Sequence, residues 1–571
     1  MRDVGTSTDS NAAPGAAGSD TTVVYSARRI LTMDPSQPTV DAVAVRDGRI
    51  LAAGSLEECV SWGPHTLDHR FHDHVLTPGM IEAHGHSMAG AFSLFPYVGW
   101  FDRPAVDGGV RAGVRSYSDL VDRLRQIDSE TAGSAEPIFV GGFDPIYFEG
   151  EERLTRHHLD AASETRPIFV MHASSHLATV NTSMLRLHEI TRDTATPGVA
   201  RDADGEPNGE LQEMPAMSLA SSAIGQFFRA VGDQRAIANL GQICANQGIT
   251  TLVDLAALGL MLPDTQAVWT DAVESPDYPA RVFQRHLAAQ PPGTDTWEAA
   301  AEACVALQRS SGDRLRTVGI KIILDGSIQG FTAKMDWPGY YTGHDHGVWM
   351  TPPEQLLEMC WPFHDRKINI HTHCNGDLTI DLWLDTVEDL VMNTAWLDHR
   401  HTVQHCQLTK PAQYRRMKAL GMCANIFTNH IWFWGDQHHD VTVGPERARR
   451  MEACATAERL GVPFSIHSDA DVTPLGHLHT MWCAVNRVTP SGRVLGEDER
   501  ISAQSALGAV TLGAAYQIHH DDEFGSLECG KAADLTVLEN DPLEVEPMAI
   551  REIGVWGTVV GGTPFAANQA G

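Results

Sequence analysis

The chain has 571 residues, 43% of them apolar and 20% charged, the balance of a soluble globular protein long enough for more than one domain. A formal net charge of −31 argues against nucleic acid or an anionic membrane surface as partner, since both call for a positive face. No apolar run reaches the roughly 18 residues of a membrane span, and the N-terminus lacks the basic-then-apolar order of an export signal, so the expected setting is the cytoplasm.

Residues 1–21 read as a disordered tail. From residue 22 to 76 the chain alternates and turns like a small β unit. "TTVVYSARRILTMD" and "DAVAVRDGRILAAGS" are short and β-branched, and "RDGR" breaks the second as a hairpin turn would. Residues 525–571 do the same in "FGSLECGKAADLTVLEND" and "IREIGVWGTVVGGTPF". Neither piece is long enough for an independent sheet. Both ends are therefore expected to share one composite β-sandwich.

Between the ends lie eight short apolar runs: "GMIEAHGH", "GITTLVDLA", "ARVFQRHLA", "GIKIILDGS", "INIHTHCNGD", "HTVQHCQ", "MCANIF" and "PFSIHSDAD". Helical patterns such as "PPEQLLEMCWPFHD" and "PAQYRRMKALG" separate them. Runs apolar on both faces suit a parallel sheet covered by helices. Eight such units predict an α/β fold, a (β/α)8 barrel spanning 77–90 and 241–524, with its site at the C-terminal ends of the strands. Residues 91–240 interrupt the rhythm with their own strands, "EPIFVGGFD" and "RPIFVMHAS", and read as an insertion capping the barrel mouth. The ten cysteines are scattered without CxxC pairs, which fits free thiols in a reducing compartment.

The compositional oddity is 28 histidines, and histidine is the commonest metal ligand. His-x-His occurs six times: His72/His74, His84/His86, His344/His346, His371/His373, His399/His401 and His477/His479. His84 and His86 stand out because they end a strand-like run, where residues i and i+2 share a face. The plain alternative is a pair of loop histidines making ordinary hydrogen bonds. Lys321 sits inside the apolar run "VGIKIILDGS", where an ammonium is costly unless paired or neutralised. It either pairs with Asp325 or loses its proton and takes up CO2 as a metal-bridging carbamate. His373 and His405 end two further runs, with His371 one step deeper as a supporting or core group. Asp469 closes the last run as a metal ligand, a base or a helix cap. Five strands would thus place six metal-competent side chains at one barrel mouth.

In that order these residues resemble the amidohydrolase superfamily of metal-dependent hydrolases, and more finely its amidohydrolase-3 branch, the YtcJ-like and N-substituted formamide deformylase group. The resembling pieces are "TPGMIEAHGH", "DADGEPNGELQE", "GIKIILDGSIQG", "HTHCNGD", "VQHCQLT", "HSDADVTP" and "GSLECGKAADLTVLEND", which together cover nearly the whole chain after residue 22. The resemblance implies that His84, His86, Lys321, His373, His405 and Asp469 hold one or two divalent metals. Zinc is expected first, with manganese, iron or cobalt as alternatives, and a carbamate on Lys321 if two are bound. Three departures from the branch pattern are Glu82 where Asp is usual, Cys374 where the fifth motif usually has Ala, and Gln404 where Glu usually precedes the histidine.

The implied chemistry is attack of a metal-activated hydroxide on an amide or formamide carbonyl. Asp469 would move the proton to the leaving nitrogen and His430 of "NIFTNHIWFW" would help stabilise the oxyanion. The aromatic-rich "SLFPYVGWFD" and "HIWFWGDQHH" suggest a small substrate with an apolar or aromatic group, Trp432 among its contacts, or else simple packing against the insertion. His176 and Asn181 in "HASSHLATVN" match a family pattern in the insertion and are expected to contact substrate or cap. Other hydrolytic, deaminating or decarboxylating chemistry at the same site is the main alternative, and a non-catalytic assembly protein of the same fold is a second. By resemblance the chain is expected to form a homodimer.

Overall fold

The computed structural model describes residues 22–148, 153–343 and 347–568. The expected tail and the His344/His346 pair lie outside the described residues.

Eight short strands follow one another in a parallel sheet: β1 Met80–Gly85, β2 Ile249–Ala257, β3 Arg281–Leu287, β4 Leu315–Ile323, β5 Ile370–Cys374, β6 Thr402–His405, β7 Cys423–Ile426 and β8 Phe464–Ile466. A parallel bridge between Gly85 and Ala470 spans the seam between first and last, so the sheet is a nearly closed barrel. These are the eight apolar runs of the sequence. Their outward residues, among them Ile320, Ile322, Ile370 and Val403, pack on helices Pro353–Asp365, Asp377–Asn393 and Pro411–Leu420 around buried Trp383 and Tyr414. The last of these helices stops at Gly421, whose φ of 76° supplies the left-handed turn that ends "PAQYRRMKALG".

Both chain ends meet in one eight-stranded sheet. Strand Thr22–Leu31 divides its edge, pairing through Thr22–Tyr25 with His65–Asp68 and through Arg29–Ile30 with Val75–Leu76. Strand Val75–Pro78 in turn pairs with Leu535–Leu538 from the far end of the chain. Tyr25, Val43 and Val45 from the first end and Leu535, Val537 and Val559 from the second share one apolar core around Phe71. Asp47 and Gly48 both take positive φ, 51° and 73°, the hairpin turn that "RDGR" predicts. The sheet is tied to the barrel through Thr536, whose hydroxyl accepts from Met80 N at 3.0 Å and donates to Gly248 O at 2.6 Å. The Arg281–Asp534 pair, 2.7 Å and buried on both sides, is a second tie.

Between β1 and β2 the chain builds a five-stranded sheet, in the order Val199–Arg201, Pro207–Gln212, Leu177–Val180, Ile168–His172 and Ile138–Phe143. Its core runs on into the barrel loops, because Val98, Phe143 and Tyr147 share a cluster with Trp434. Tyr147 donates its hydroxyl to Phe433 O at 2.6 Å, and Trp434 Nε1 donates to Asp144 at 3.0 Å.

Candidate active site

At the C-terminal ends of the strands, Asp469 is the hub. Its Oδ1 lies 2.9 Å from His86 Nε2 and 3.6 Å from His84 Nε2, and its Oδ2 lies 3.6 Å from His405 Nδ1. Lys321 Nζ is 3.3 Å from His84 Nε2, and the His373 ring is 4.4 Å from that of His405. All six residues read from the sequence are therefore neighbours. Two overlapping trios, His84–His86–Asp469 and His84–His405–His467, each keep their donor atoms within 4.8 Å of one another. His405 and Asp469 both hold positive φ, 74° and 54°. Such backbone is costly for residues with side chains and collects at functional sites. At His405 it breaks the strand alternation.

Neighbouring groups set the tautomers. His84 Nδ1 donates to Gln404 Oε1 at 2.5 Å, which leaves Nε2 facing Asp469 with a lone pair. Gln404 in turn donates to His371 Nδ1 at 2.6 Å, and His371 Nε2 donates to Gln517 O at 3.3 Å. His371 is thus a support one layer below the site. His467 Nδ1 donates to Asn425 Oδ1 at 2.9 Å, so its Nε2 turns to His405, 3.2 Å away. Burial, reinforced by the cationic neighbour Lys321 for His84 and His373, lowers the pKa of His84, His373, His405 and His467. Neutral imidazole is the form that binds metal. His405 Nε2 and His86 Nδ1 are buried without a hydrogen-bond partner among the described residues. Converging imidazoles and one carboxylate, with such orphaned nitrogens among them, fit a divalent cation of the zinc type.

The pairing of Lys321 with Asp325, one of the two readings from sequence, does not occur. Asp325 accepts instead from the backbone N–H groups of Asn375, Gly376 and Lys334 and from the Thr379 hydroxyl, binding the β4 loop to the β5 loop. Lys321 makes no ion pair among the described residues, and burial pushes its pKa down to about 7. That supplies the neutral amine which addition to CO2 requires. Glu82, the departure in the first motif, is buried on the same strand as His84. It accepts from His84 N at 3.0 Å, Ser468 N at 3.2 Å and the Ser468 hydroxyl, so it fastens β1 to the end of β8 beside both ligand segments. Burial raises its pKa to about 8.

The insertion contributes His176. Its ring centroid is 6.0 Å from that of His373, and it lines the cleft with Ser174, Gln329, Asn375, Phe427 and His430. Its Nδ1 donates to Glu213 Oε2 at 2.8 Å, while Glu213 N donates back to His176 O at 2.7 Å. Burial alone would lower the His176 pKa, but the carboxylates around it, Glu213 foremost and then Asp325 and Asp469, together outweigh burial and the net shift is upward. His430 lines the same cleft beside Phe427, ring centroids 4.5 Å apart.

Asn181 and Trp432 take the packing alternatives of their readings. The Asn181 side chain is fully used inside the insertion, accepting from Met184 N and Ile168 N and donating to Ser163 O and Arg166 O. It caps a helix and pins a strand. Trp432 packs on Trp482, ring centroids 5.3 Å apart, under the Arg551 guanidinium, 4.7 Å from its ring. It also approaches Phe101 of the insertion, ring centroids 6.5 Å apart. His467, Glu213 and Gln404 were not singled out as site residues from sequence. The two-residue spacing of His467 and Asp469 at a strand end was the available signal for the first.

The sequence model of the Amidohydrolase family (Amidohydro_3) matches residues 72–566. Protein LONG AFTER FAR-RED 3 of Arabidopsis thaliana is 25% identical over 531 residues, spanning 90% of this chain and 86% of that protein. An N-substituted formamide deformylase of Arthrobacter pascens is 25% identical over 550 residues, spanning 93% and 96%. Among solved structures, an uncharacterized metal-dependent hydrolase of Pyrococcus horikoshii OT3 shares the fold with a TM-score of 0.68 at 20% identity, over 92% of this chain and 99% of that one. A match over most of the length thus joins the motif order and the barrel, and the chain belongs to the amidohydrolase family.

Proposed function

We propose that the protein is a metal-dependent hydrolase that cleaves a C–N bond of amide or formamide type in a small molecule. One observation carries this reading: Asp469 stands within 3.6 Å of His84, His86 and His405 at the mouth of the barrel. One or two divalent ions, zinc first, held by His84, His86, His373, His405 and Asp469 would supply a water of lowered pKa and polarise a carbonyl oxygen. In a two-metal form a carbamate on Lys321 would be the shared ligand.

The chain's own groups account for the rest. Asp469 takes the proton of the attacking water, since among the described residues it is the carboxylate that faces all three histidines. His430, which lines the cleft, donates to the carbonyl oxygen as charge gathers there. His176, whose pKa the Glu213 carboxylate helps to raise, donates in its protonated form to the leaving nitrogen, which departs poorly as an anion. Phe427 and Val472 beside these polar groups give the substrate's carbon frame an apolar wall, which supports an apolar or aromatic substituent. The relative active on N-substituted formamides supports the bond type. A cytoplasmic homodimer is part of the same proposal.

The test is a panel of N-alkyl and N-aryl formamides and amides scored for released formate, acid or amine, on protein of measured metal content. We expect one or two divalent ions per chain and loss of turnover on chelation. Protein without stoichiometric metal, or full activity after exhaustive chelation, would overturn the reading.

A further inference from the structure

Behind His430 a hydrogen-bonded chain leads away from the cleft. His430 Nδ1 lies 2.9 Å from His438 Nε2, and His438 Nδ1 lies 2.8 Å from the Thr442 hydroxyl. All three residues are buried, and the two imidazoles stack within 11° of parallel. His438 and Thr442 meet because His438–Thr442 forms a single wide π turn, a distortion that proteins place at functional sites.

A neutral imidazole carries one N–H, and its position decides whether the other nitrogen donates or accepts. Burial lowers the pKa of both rings, that of His438 to about 3, so both are neutral. The direction of the chain then depends on Thr442. Its hydroxyl has one hydrogen, and among the described residues its hydrogen-bond neighbour is His438 Nδ1. Run the other way, the chain would leave that hydrogen without an acceptor in a fully buried place, which costs on the order of 1–3 kcal/mol. Run outward, Thr442 donates to His438 Nδ1, His438 Nε2–H donates to His430 Nδ1, and the His430 proton stands on Nε2. That nitrogen has no hydrogen bond to the protein among the described residues, and the ring lines the cleft.

We propose that Thr442 and His438 are positioning residues, a one-way relay that fixes His430 as an Nε2–H donor toward the substrate's carbonyl oxygen. The acceptor's identity rests on the hydrolytic reading above; the tautomer does not.

The experiment uses the metal-loaded enzyme labelled with 15N in histidine. Long-range 15N–1H correlation reads the tautomer, with His430 assigned by difference from His430→Gln. Wild type should show His430 protonated at Nε2. Thr442→Val, nearly isosteric, should populate the Nδ1–H form and lower kcat on N-benzylformamide about tenfold, the worth of one neutral hydrogen bond, with KM little changed. Thr442→Ser should restore both readouts, and Thr442→Ala carries the same test if the valine variant does not fold. A wild-type Nδ1–H tautomer overturns the relay. So does a hydroxyl-free variant that keeps the Nε2–H form, even if its melting temperature falls. An Nε2–H tautomer that depends on the hydroxyl, in an enzyme that hydrolyses no formamide or amide, upholds the relay and removes the proposed substrate class.

Discussion

His84 Nδ1 donates to Gln404 Oε1 at 2.5 Å and so joins the end of β1 to the end of β6. The same Oε1 accepts from Asn425 Nδ2 at 2.8 Å, and the amide N–H of Gln404 serves His371. Gln404→Leu would leave His84 Nδ1 and His371 Nδ1 buried without partners, leave Asn425 Nδ2 with Ala83 O alone, and free the His84 tautomer. We expect metal affinity to fall about 10- to 100-fold, read by competition with a chelating dye. Unchanged affinity would show that another contact orients His84.

Asp469→Asn should keep the fold and abolish most turnover, by roughly 10²–10⁴-fold if proton transfer is its main task. Steady-state kinetics with circular dichroism on the same preparation checks this. An asparagine variant with wild-type kcat would reassign the base.

Glu213→Gln removes the charge that holds the His176 pKa above its ordinary value despite burial. A protonated donor is lost as pH rises through its pKa. Lowering that pKa must therefore move the alkaline limb of kcat/KM to lower pH, with the acid limb unmoved. A profile that falls uniformly at every pH would mean that Glu213 only holds the loop.

Asp144 offers a stability test away from the metal-competent residues. Burial raises its pKa from 3.8 to about 6. The folded chain thus keeps a proton that the unfolded chain has already released. Stability from this group is complete below pH 3.8 and is lost as pH rises through 6. Asp144→Asn has no such proton to lose. The advantage of wild type over the variant should shrink between pH 4 and 6.5, by up to about 3 kcal/mol, in thermal melts taken across that range. A constant difference would contradict the assignment.

The barrel was legible because each strand is a short apolar run bounded by turns, and His84, Lys321, His373, His405 and Asp469 each fall at or near the end of one. Spacing could not tell a mouth histidine from a core one. His399 and His401 repeat the His-x-His pattern, yet His401 bonds to His364 at 2.9 Å and His399 to Leu420 O at 2.7 Å, away from the site. His477 likewise donates to Ile81 O at 2.8 Å. Asn181 and Trp432 stayed open between substrate and packing because a polar residue after a strand and an aromatic cluster in a loop look alike whichever they face. Gln404 and Glu213 act through partners 320 and 37 residues away, respectively, distances at which one sequence carries no pairing signal.

The end sheet has a consequence for synthesis. Val75–Pro78, which leads directly into β1, takes its neighbour from Leu535–Leu538, and Met80 N donates to Thr536. While the ribosome is still translating, the first barrel strand therefore waits beside an unfilled edge until more than 450 further residues have emerged. At roughly 5–20 residues per second that wait lasts tens of seconds. A premature stop before Leu535 would therefore remove the partner strand of the segment that leads into the barrel, and not a dispensable tail.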